Sequence, residues 1–520
     1  MHRPIHISML VFALFAVAAT PAGASRTQES ILQDDRLLLE SGADTRNATL
    51  DELKALGVDT IRVNAIWARI APERESTTKP SFDATDPAAY PADNWAALDA
   101  LLQGAAARGL SVLVTPTGPV PAWASPCGDR RTCNPNADEF RAFVTALGRR
   151  YSGTYTVGGS AATGGGGGGG TLPLPKTGVA EADAITAQAG GEQPIVPAQA
   201  GTTLPRVARW SIWNEPNLGS WLTPQYTGSS KKPISASSRI YRGLLYAAMD
   251  ALAATGHADD QVLIGETAPV GRTGGDIAKR SRTPLSFYRD LLCIDTRGRA
   301  LTGTNAKRQA CTGGFRALPG AVAHHPYSRA ALSGPTSTAG RDELPLASIR
   351  NLYRVLDQGA ARKRIAKGAP VYFTEYGIET KPPNRFGVSL GAHARYINQA
   401  DWMAYRDGRI RSVAQYELTD PANTDVFNTG LRLNDGKAKP ALAAYRLPIW
   451  VSSGRVWGQV RAAGGGSAEV QWRSSSKRSF TKYKTVNLNS RGYFDLKVSR
   501  RGGQWRLVSG GDAGRTASGY

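Results

Sequence analysis

Residues 210 to 221 read WSIWNEPNLGSW, an apolar run that ends in Asn214, Glu215 and Pro216 and then meets another tryptophan. Because a proline disfavours the α conformation in the residue before it, we expect Glu215 to be extended and to be the last residue of its strand. The stretch therefore predicts a glutamate at a strand tip, beside an amide and among indole rings.

Short apolar segments rich in Val and Ile alternate with helical patterns along the chain, which is typical of βα units around a parallel sheet. The predicted strands are 60–66, 110–116, 207–215, 261–267, 320–326, 370–375 and 412–418, with a weaker first one near 31–39. Several intervening helices open on Thr or Asp and close on Gly, as helix caps should. Eight such strands predict a (β/α)8 TIM barrel.

Two segments depart from this alternation. Residues 152–205 are rich in Gly, Ala, Thr and Pro and contain the glycine run 164–170, so we expect a flexible surface insertion there. Beyond Leu447 and Pro448, short alternating runs separated by Gly and Ser predict a small β-sandwich. The predicted organisation is a barrel domain over 25–446 and a sandwich domain over 447–520.

The N-terminus has the features of a secretory signal peptide over residues 1–24. Arg3 provides a basic start, Met9 to Ala19 an apolar core, and Ala22 to Ala24 a small-residue cleavage site. The apolar core is shorter than the roughly 20 residues that a membrane helix needs, so we expect a secreted, extracellular protein without a membrane span. A retained N-terminal anchor is the alternative.

The four cysteines fall in two local pairs, Cys127 with Cys133 and Cys293 with Cys311. An oxidising compartment favours two disulfides with these partners, although four cysteines allow three connectivities. No CxxC or histidine spacing accompanies them, which argues against a zinc site.

The formal net charge is +21, and residues 446–520 hold 14 Lys and Arg against 3 Asp and Glu. A basic surface of this kind favours a cell wall or an acidic glycan as partner. The chain has no nucleic-acid-binding motif, so nucleic acid is not a predicted partner. The alternative is an Arg-rich solvated face with no ligand.

Two glutamates end predicted strands, Glu215 in WNEPN and Glu375 in VYFTEYG. Barrel enzymes carry their chemistry at the C-terminal ends of the strands. Two carboxylates across a barrel mouth are what glycoside hydrolysis needs, one to protonate the leaving oxygen and one to attack or to activate water.

At this point the sequence resembles the clan-A retaining glycoside hydrolases, particularly the cellulase family (glycoside hydrolase family 5) and its neighbours. The resemblance rests on WNEP in the fourth strand, Glu375 ending the seventh, His325-Pro326-Tyr327 in the sixth and Arg62 in TIRVN of the second. It implies that Glu215 is the general acid/base, that Glu375 is the nucleophile, and that Asn214 hydrogen-bonds the sugar 2-hydroxyl.

The resemblance further implies that Tyr327, paired with His325, orients Glu375, and that Arg62 supports the nucleophile by charge. The chain departs from the family in the expected sugar-binding floor. It has Thr115 to Thr117 where a histidine is usual after the third strand, and Tyr416-Glu417 where a tryptophan is usual after the eighth. These departures affect the expected substrate more than the expected catalytic chemistry.

Indole rings near strand ends are the other candidates for sugar contact, because they stack on the apolar faces of sugars. We expect Trp67, Trp123 and Trp221 to bind substrate, with core packing as the alternative for each. Glu266 also ends a strand, and we expect a structural hydrogen bond there.

The sequence thus predicts a secreted retaining O-glycosidase that cleaves a β-linked oligo- or polysaccharide with neither cofactor nor metal. Within enzymes the alternative is an arabinofuranosidase or xylosidase specificity. The alternative from another class is a non-catalytic carbohydrate- or cell-wall-binding protein whose basic C-terminal domain does the binding.

Overall fold

The computed structural model describes residues 26–128, 131–158, 195–313, 315–328, 333–423, 427–499 and 502–518. The predicted signal peptide, and residues 159–194 of the predicted insertion, lie outside the described residues. Across the described ranges, no helix combines the length and the apolar character that crossing a membrane would require.

Eight parallel strands form a closed barrel in which each strand pairs with its neighbours along the chain and the last pairs with the first. The strands are β1 (Glu29–Gln33), β2 (Thr60–Ile66), β3 (Ser111–Thr117), β4 (Arg209–Ser211), β5 (Gln261–Thr267), β6 (Ala321–His324), β7 (Val371–Phe373) and β8 (Ile410–Tyr416). The predicted TIM barrel is confirmed, and every predicted strand overlaps an observed one.

The helices alternate with these strands and cover the barrel. They are α1 (Asp35–Leu39), α2 (Ala43–Ala55), α3 (Trp67–Ile70), α4 (Ala92–Ala107), α5 (Ala137–Arg150), α6 (Ser237–Ala254), α7 (Pro284–Leu291), α8 (Gly303–Arg308), α9 (Arg350–Ala360), α10 (Leu390–Tyr405) and α11 (Pro440–Arg446). Asn136 caps α5 by accepting the Asp138 and Glu139 N–H groups, and Ser389 caps α10. Two small two-stranded sheets, within 226–235 and 380–389, lie in the segments that follow β4 and β7 near the barrel mouth.

The barrel interior is filled in layers, as the fold requires. At the end where the strands begin, Arg209 forms an ion pair with Glu29. A middle layer is mainly apolar and consists of Leu113, Leu263, Ala323 and Tyr372. Above it, where the strands end, the inward side chains become polar.

Both predicted disulfides are present. Cys127 bonds Cys133 with an S–S distance of 2.04 Å, and Cys293 bonds Cys311 with an S–S distance of 2.00 Å. The first lies in the loop after β3, and the second joins the end of α7 to the segment after α8. Each bond closes a local loop beside the barrel.

Two antiparallel sheets follow the barrel and confirm the predicted small β domain. Their strands are β9 (Ile449–Ser452), β10 (Arg455–Gln459), β11 (Ser467–Arg473), β12 (Thr481–Asn487), β13 (Tyr493–Lys497), β14 (Gln504–Ser509), β15 (Asp512–Ala513) and β16 (Ala517–Ser518). One sheet has the order β9-β10-β13, the other β12-β11-β14-β15 with β16 also on β14. Apolar side chains such as Val456, Val470 and Trp505 form one core between them.

Aromatic rings join this domain to the barrel. Trp457 and Tyr493, on the sheet that contains β10, pack against Tyr405 at the end of α10, and Trp450 stacks on Trp402. The buried Arg461 adds an ion pair with Asp401 of α10. The three-stranded sheet therefore packs against α10 of the barrel.

The two described flanks of the glycine-rich insertion pair with each other. Thr156 and Thr203 form an antiparallel bridge, and the Val157 N–H donates to the Thr202 carbonyl at 2.9 Å. The next residues inward, Gly158 and Gly201, have φ angles of +67° and +87°. Two central residues with positive φ are what a type I′ hairpin turn uses, so the flanks already have the geometry of a short hairpin.

We predict that deleting residues 159–200, which joins Gly158 directly to Gly201, leaves the protein folded. Loop-closure entropy changes by only about 0.6 kcal/mol for each doubling of loop length, and a shorter loop lowers that cost. The melting temperature, followed by circular dichroism, should be unchanged or slightly higher. Loss of the cooperative transition would mean that the deleted segment packs against the barrel.

Candidate active site

The guanidinium of Arg62 is at the centre of the candidate site, fully buried within β2 and facing the barrel interior. Its five N–H groups meet five acceptor oxygens, one each on Gln33, Asn214 and Glu375 and two on Glu266. Burial lowers the pKa of Arg62, but Glu266 and Glu375 offset this and leave it above its ordinary value. The cation is therefore permanent.

Glu375, just beyond β7, is held by two donors. Arg62 Nη1 donates to Oε1 at 2.7 Å, and the Tyr327 hydroxyl donates to Oε2 at 3.2 Å. Burial raises the pKa of Tyr327 well above its ordinary value, and Glu375 raises it further, so the phenol keeps its proton. Rings of Tyr376 and Phe427 pack around the Tyr327 ring and fix its position.

Glu215 lies on the segment that leaves β4, and its backbone differs from the sequence prediction. The predicted extended conformation is wrong, because Glu215 has φ +37° and β4 already ends at Ser211. The chain bends across the mouth, where the Glu215 N–H donates to the Glu266 carbonyl at 3.1 Å. Pro216 disfavours the right-handed helical region for Glu215 but does not enforce extension, and such strained backbone occurs often at functional sites.

His325 joins the two carboxylates. Its Nδ1 lies 3.0 Å from Glu215 Oε1 and 3.4 Å from Glu375 Oε2. Burial, and then the charge of Arg62, hold the pKa of His325 well below its ordinary value, so the ring is neutral at neutral pH. We assign the ring proton to Nδ1, because the atoms on that side are carboxylate acceptors.

Glu266 is part of the support for Arg62 and not of the open site. It is fully buried, with φ +40°, in a β-bulge of β5, and its two oxygens pair with Arg62 at 2.8 and 2.6 Å. A Cβ on the preceding Gly265 would lie 2.0 Å from the Tyr288 hydroxyl, so only glycine fits. The expected structural hydrogen bond of Glu266 is confirmed.

The two catalytic candidates are close enough to act on one bond. One carboxylate oxygen each of Glu215 and Glu375, and one ring nitrogen of His325, all lie within 4.8 Å of one another. In the described part of the chain this is also the one group of side chains that could share a metal ion. The hydrogen bond between His325 and Glu215, and the charge of Arg62 beside Glu375, are the protein contacts that hold these side chains close together.

Three polar residues of the site carried no motif in the sequence. Gln33, at the end of β1, accepts from Arg62 and donates to Asp35 Oδ2 at 3.3 Å. Asn64, at the end of β2, donates to the same oxygen at 3.0 Å. Gln33 and Asp35 were not predicted, because the sequence pattern of the first strand is weak. Asn64 is two residues after Arg62 and so could have been placed on the same face.

The tryptophan predictions have different outcomes. The prediction that Trp67 binds substrate is wrong, because its ring is fully buried and stacks on Phe143 at 5.5 Å in the core outside the barrel strands. Trp123 and Trp221 are partly exposed. Trp123 donates its indole N–H to the Pro72 carbonyl, and the backbone carbonyl of Trp221 accepts from another indole. Sugar contact by these two residues stays a prediction.

We predict that Arg62→Met destabilises the fold by about 3–5 kcal/mol, because it leaves the buried Glu266 without its cation. The measurement is urea unfolding at neutral pH. Arg69→Met is the control, since Arg69 pairs with Glu40 near the surface and should change the free energy of unfolding by less than about 1 kcal/mol. Equal effects of the two substitutions would contradict the central role of Arg62.

A second prediction concerns pH. Burial raises the pKa of Asp35 to about 7 from an ordinary value near 3.8, against the lowering effect of Arg62. A carboxyl whose folded pKa is raised loses stabilisation as the pH rises through that value. The stability of Asp35→Asn relative to the wild type should therefore increase between about pH 4 and pH 8. The measurement is urea unfolding of both proteins across this range. A constant difference between their free energies of unfolding would contradict the prediction.

Comparison with solved structures gives a glucosidase from Croceicoccus marinus, with 12% identity and a TM-score of 0.47 over 92% of this chain and 94% of that one. It also gives the β-glycosidase of Thermosphaera aggregans, with 13% identity and a TM-score of 0.45 over 81% of this chain and 95% of that one. A third structure is GH5_18 from Streptomyces cattleya in complex with GlcNAc, with 15% identity and a TM-score of 0.43 over 81% of this chain and 79% of that one. No protein-family model and no curated protein matches the sequence. The closed barrel itself confirms the (β/α)8 fold that the resemblance implies.

Proposed function

We propose that the protein is a retaining glycoside hydrolase that cleaves O-glycosidic bonds of a β-linked glycan by double displacement. The observation that carries the proposal is the short distance between Glu215 and Glu375, since one carboxylate oxygen of each lies within 4.8 Å of the other. Retaining enzymes hold their carboxyl groups about 5–5.5 Å apart, whereas inverting enzymes leave roughly 6.5–9.5 Å for a water molecule. The separation favours direct attack by one carboxylate.

In the first step Glu375 attacks the anomeric carbon. Arg62 and Tyr327 donate to its two oxygens, which favours the ionised form that a nucleophile needs. Glu215 gives its proton to the leaving oxygen as the glycosidic C–O bond breaks. A covalent glycosyl-enzyme on Glu375 results.

In the second step Glu215 takes a proton from a water molecule that attacks the same carbon, and the bond to Glu375 breaks. Two displacements restore the anomeric configuration of the substrate. His325, neutral and in contact with Glu215, aligns this carboxyl in both roles without holding it permanently ionised. Asn214, whose amide oxygen accepts from Arg62 at 2.7 Å, would donate from its NH2 group to the sugar 2-hydroxyl.

The other parts of the proposal concern location and substrate. The signal-peptide pattern of residues 1–24 and the two disulfides favour a secreted, extracellular enzyme. Trp123 and Trp221, which are partly exposed, are the proposed sugar-stacking residues. The predicted affinity of the basic C-terminal region for a cell wall or acidic glycan concerns a separate surface.

We predict that Glu375→Ala abolishes turnover of an activated aryl β-glycoside, and that azide restores it by occupying the place of the nucleophile and giving an α-glycosyl azide. Glu215→Ala should retain the first step for substrates with good leaving groups, and azide should then give the β-azide by intercepting the glycosyl-enzyme. Product anomers are identified by NMR.

Glu343→Ala is the matched control, because Glu343 is a buried carboxylate outside the proposed catalytic pair. It should keep the activity of the wild type. Inversion by the wild type, or a fully active Glu375→Ala, would show that the pair is wrongly assigned. Binding of β-glycans without turnover of any substrate would instead support the non-catalytic alternative.

A further inference from the structure

The cations of the C-terminal domain separate into two groups. Four arginines, Arg446 at the end of α11 and three within the domain, form ion pairs with carboxylates, and three of these pairs bridge the two domains. These pairs are Arg446–Asp512, Arg455–Asp495, Arg461–Asp401 and Arg491–Asp59. Of the three carboxylates in residues 446–520, two are thus engaged, and Glu469 is the third.

A second group of cations lies on the outer side of the five-stranded sheet and its β11–β12 hairpin. We name this surface the cationic face and define it by Arg473, Lys477, Arg478, Lys482 and Arg506. In β11, the alternate residues Val470 and Trp472 pack toward the core, so Arg473 and its neighbours Gln471 and Glu469 point outward. Lys482 and Arg506 flank Gln471 on the two adjacent strands.

Two guanidiniums of this face are held in fixed positions. Arg473 Nε donates to Gln504 Oε1, and Arg506 Nε donates to Gln471 Oε1, each at 2.7 Å. Both guanidiniums also lie 4.3 Å from the centroid of the Phe480 ring. These neutral contacts order the two cations without cancelling their charge, so less side-chain entropy is lost when an anion binds.

Little negative charge compensates the cationic face. Glu469 lies 3.9 Å from Lys482 and also accepts from Gln471. Among the residues that the structure describes, the other four cations of the face form no ion pair. The net charge of five cations and one carboxylate is +4, on one side of a small sheet.

We propose that the cationic face binds an anionic polysaccharide, a chain of sugars that carries repeated carboxylate or other acidic groups. Strands about 4.8 Å apart carry the cations in a flat array, which suits an extended polyanion. The face lies on the outer sheet, whereas the three-stranded sheet packs against α10. Binding there leaves the barrel mouth to act on its own substrate.

The chemistry of the face favours this partner over nucleic acid or a lipid surface. Single-stranded nucleic acids stack bases on aromatic rings, but two guanidiniums already lie against the Phe480 ring. Membrane-surface binding also uses apolar side chains that insert into the lipid. The large exposed apolar residues in the described chain are Val196 and Phe386, and both lie outside the cationic face.

The test measures binding of the full-length protein to immobilised polygalacturonate by biolayer interferometry, with neutral dextran as the reference glycan. The wild type should bind polygalacturonate and not dextran, and affinity should fall steeply from about 50 to about 200 mM salt, as charge-driven binding does. Arg478→Gln with Lys482→Gln should weaken binding about tenfold or more, because two of five cations are lost. Both residues are exposed, so the variant should fold normally.

Arg354→Gln with Lys367→Gln is the control, since it removes the same charge from exposed positions of the barrel. It should bind polygalacturonate like the wild type. Equal weakening by both variants would overturn the proposal, because net charge and not the face would then be responsible. Undetectable binding of the wild type, or stronger binding to polyuridylate or to anionic lipid vesicles than to polygalacturonate, would also overturn it. Activity of the barrel does not enter this measurement.

Discussion

The candidate site depends on one buried cation and the acceptors around it. Arg62 has no exposure to solvent, and removing a guanidinium from water costs several kcal/mol unless its hydrogen bonds are replaced. All five of its N–H groups are used, and three of the five acceptor oxygens belong to two carboxylates. Glu266 supplies two oxygens and Glu375 one. The fully buried Glu266 therefore fixes the guanidinium, and the guanidinium in turn fixes Glu375, which is slightly exposed at the mouth.

The barrel makes this arrangement possible because alternate residues of each strand face inward. In β2, Thr60 contributes to the polar layer around Arg209, Arg62 to the site, and Asn64 to the contacts with Asp35. The apolar middle layer separates the two charged layers. Arg62 thus has a low-dielectric surface below and the open mouth above. Charges placed there interact more strongly than they would at the protein surface.

Much of the fold could be predicted from the sequence because barrel strands are buried on both faces and read as continuous apolar runs. The contacts of Arg62 and Tyr327 with Glu375 could be predicted from the resemblance to known motifs. The contacts of Gln33 and Asp35 were not, since they depend on a short first strand whose register no local pattern determines. The backbone conformation of Glu215 could not be predicted either, because Pro216 disfavours one conformation but does not select among the others.

Trp67 illustrates a different limit. A tryptophan directly after a strand can point into the mouth or beneath a helix, and the residue type fits both positions. Here α3 begins at Trp67 itself, which directs the ring toward Phe140 and Phe143 of α5. The outcome is determined by packing between elements more than 70 residues apart in the sequence. Sequence position alone marks such a residue as a candidate and cannot assign its face.

The domain contact and the cationic face have a common physical origin. Arg446, Arg461 and Arg491 join the domains through carboxylates, and Arg461 is buried with its partner Asp401. A buried or interfacial guanidinium requires such a partner, whereas a surface cation does not. The small domain has three carboxylates, of which Asp512 pairs with Arg446 and Asp495 with Arg455. Glu469 alone of the three is left beside the cationic face, which therefore keeps a net positive charge.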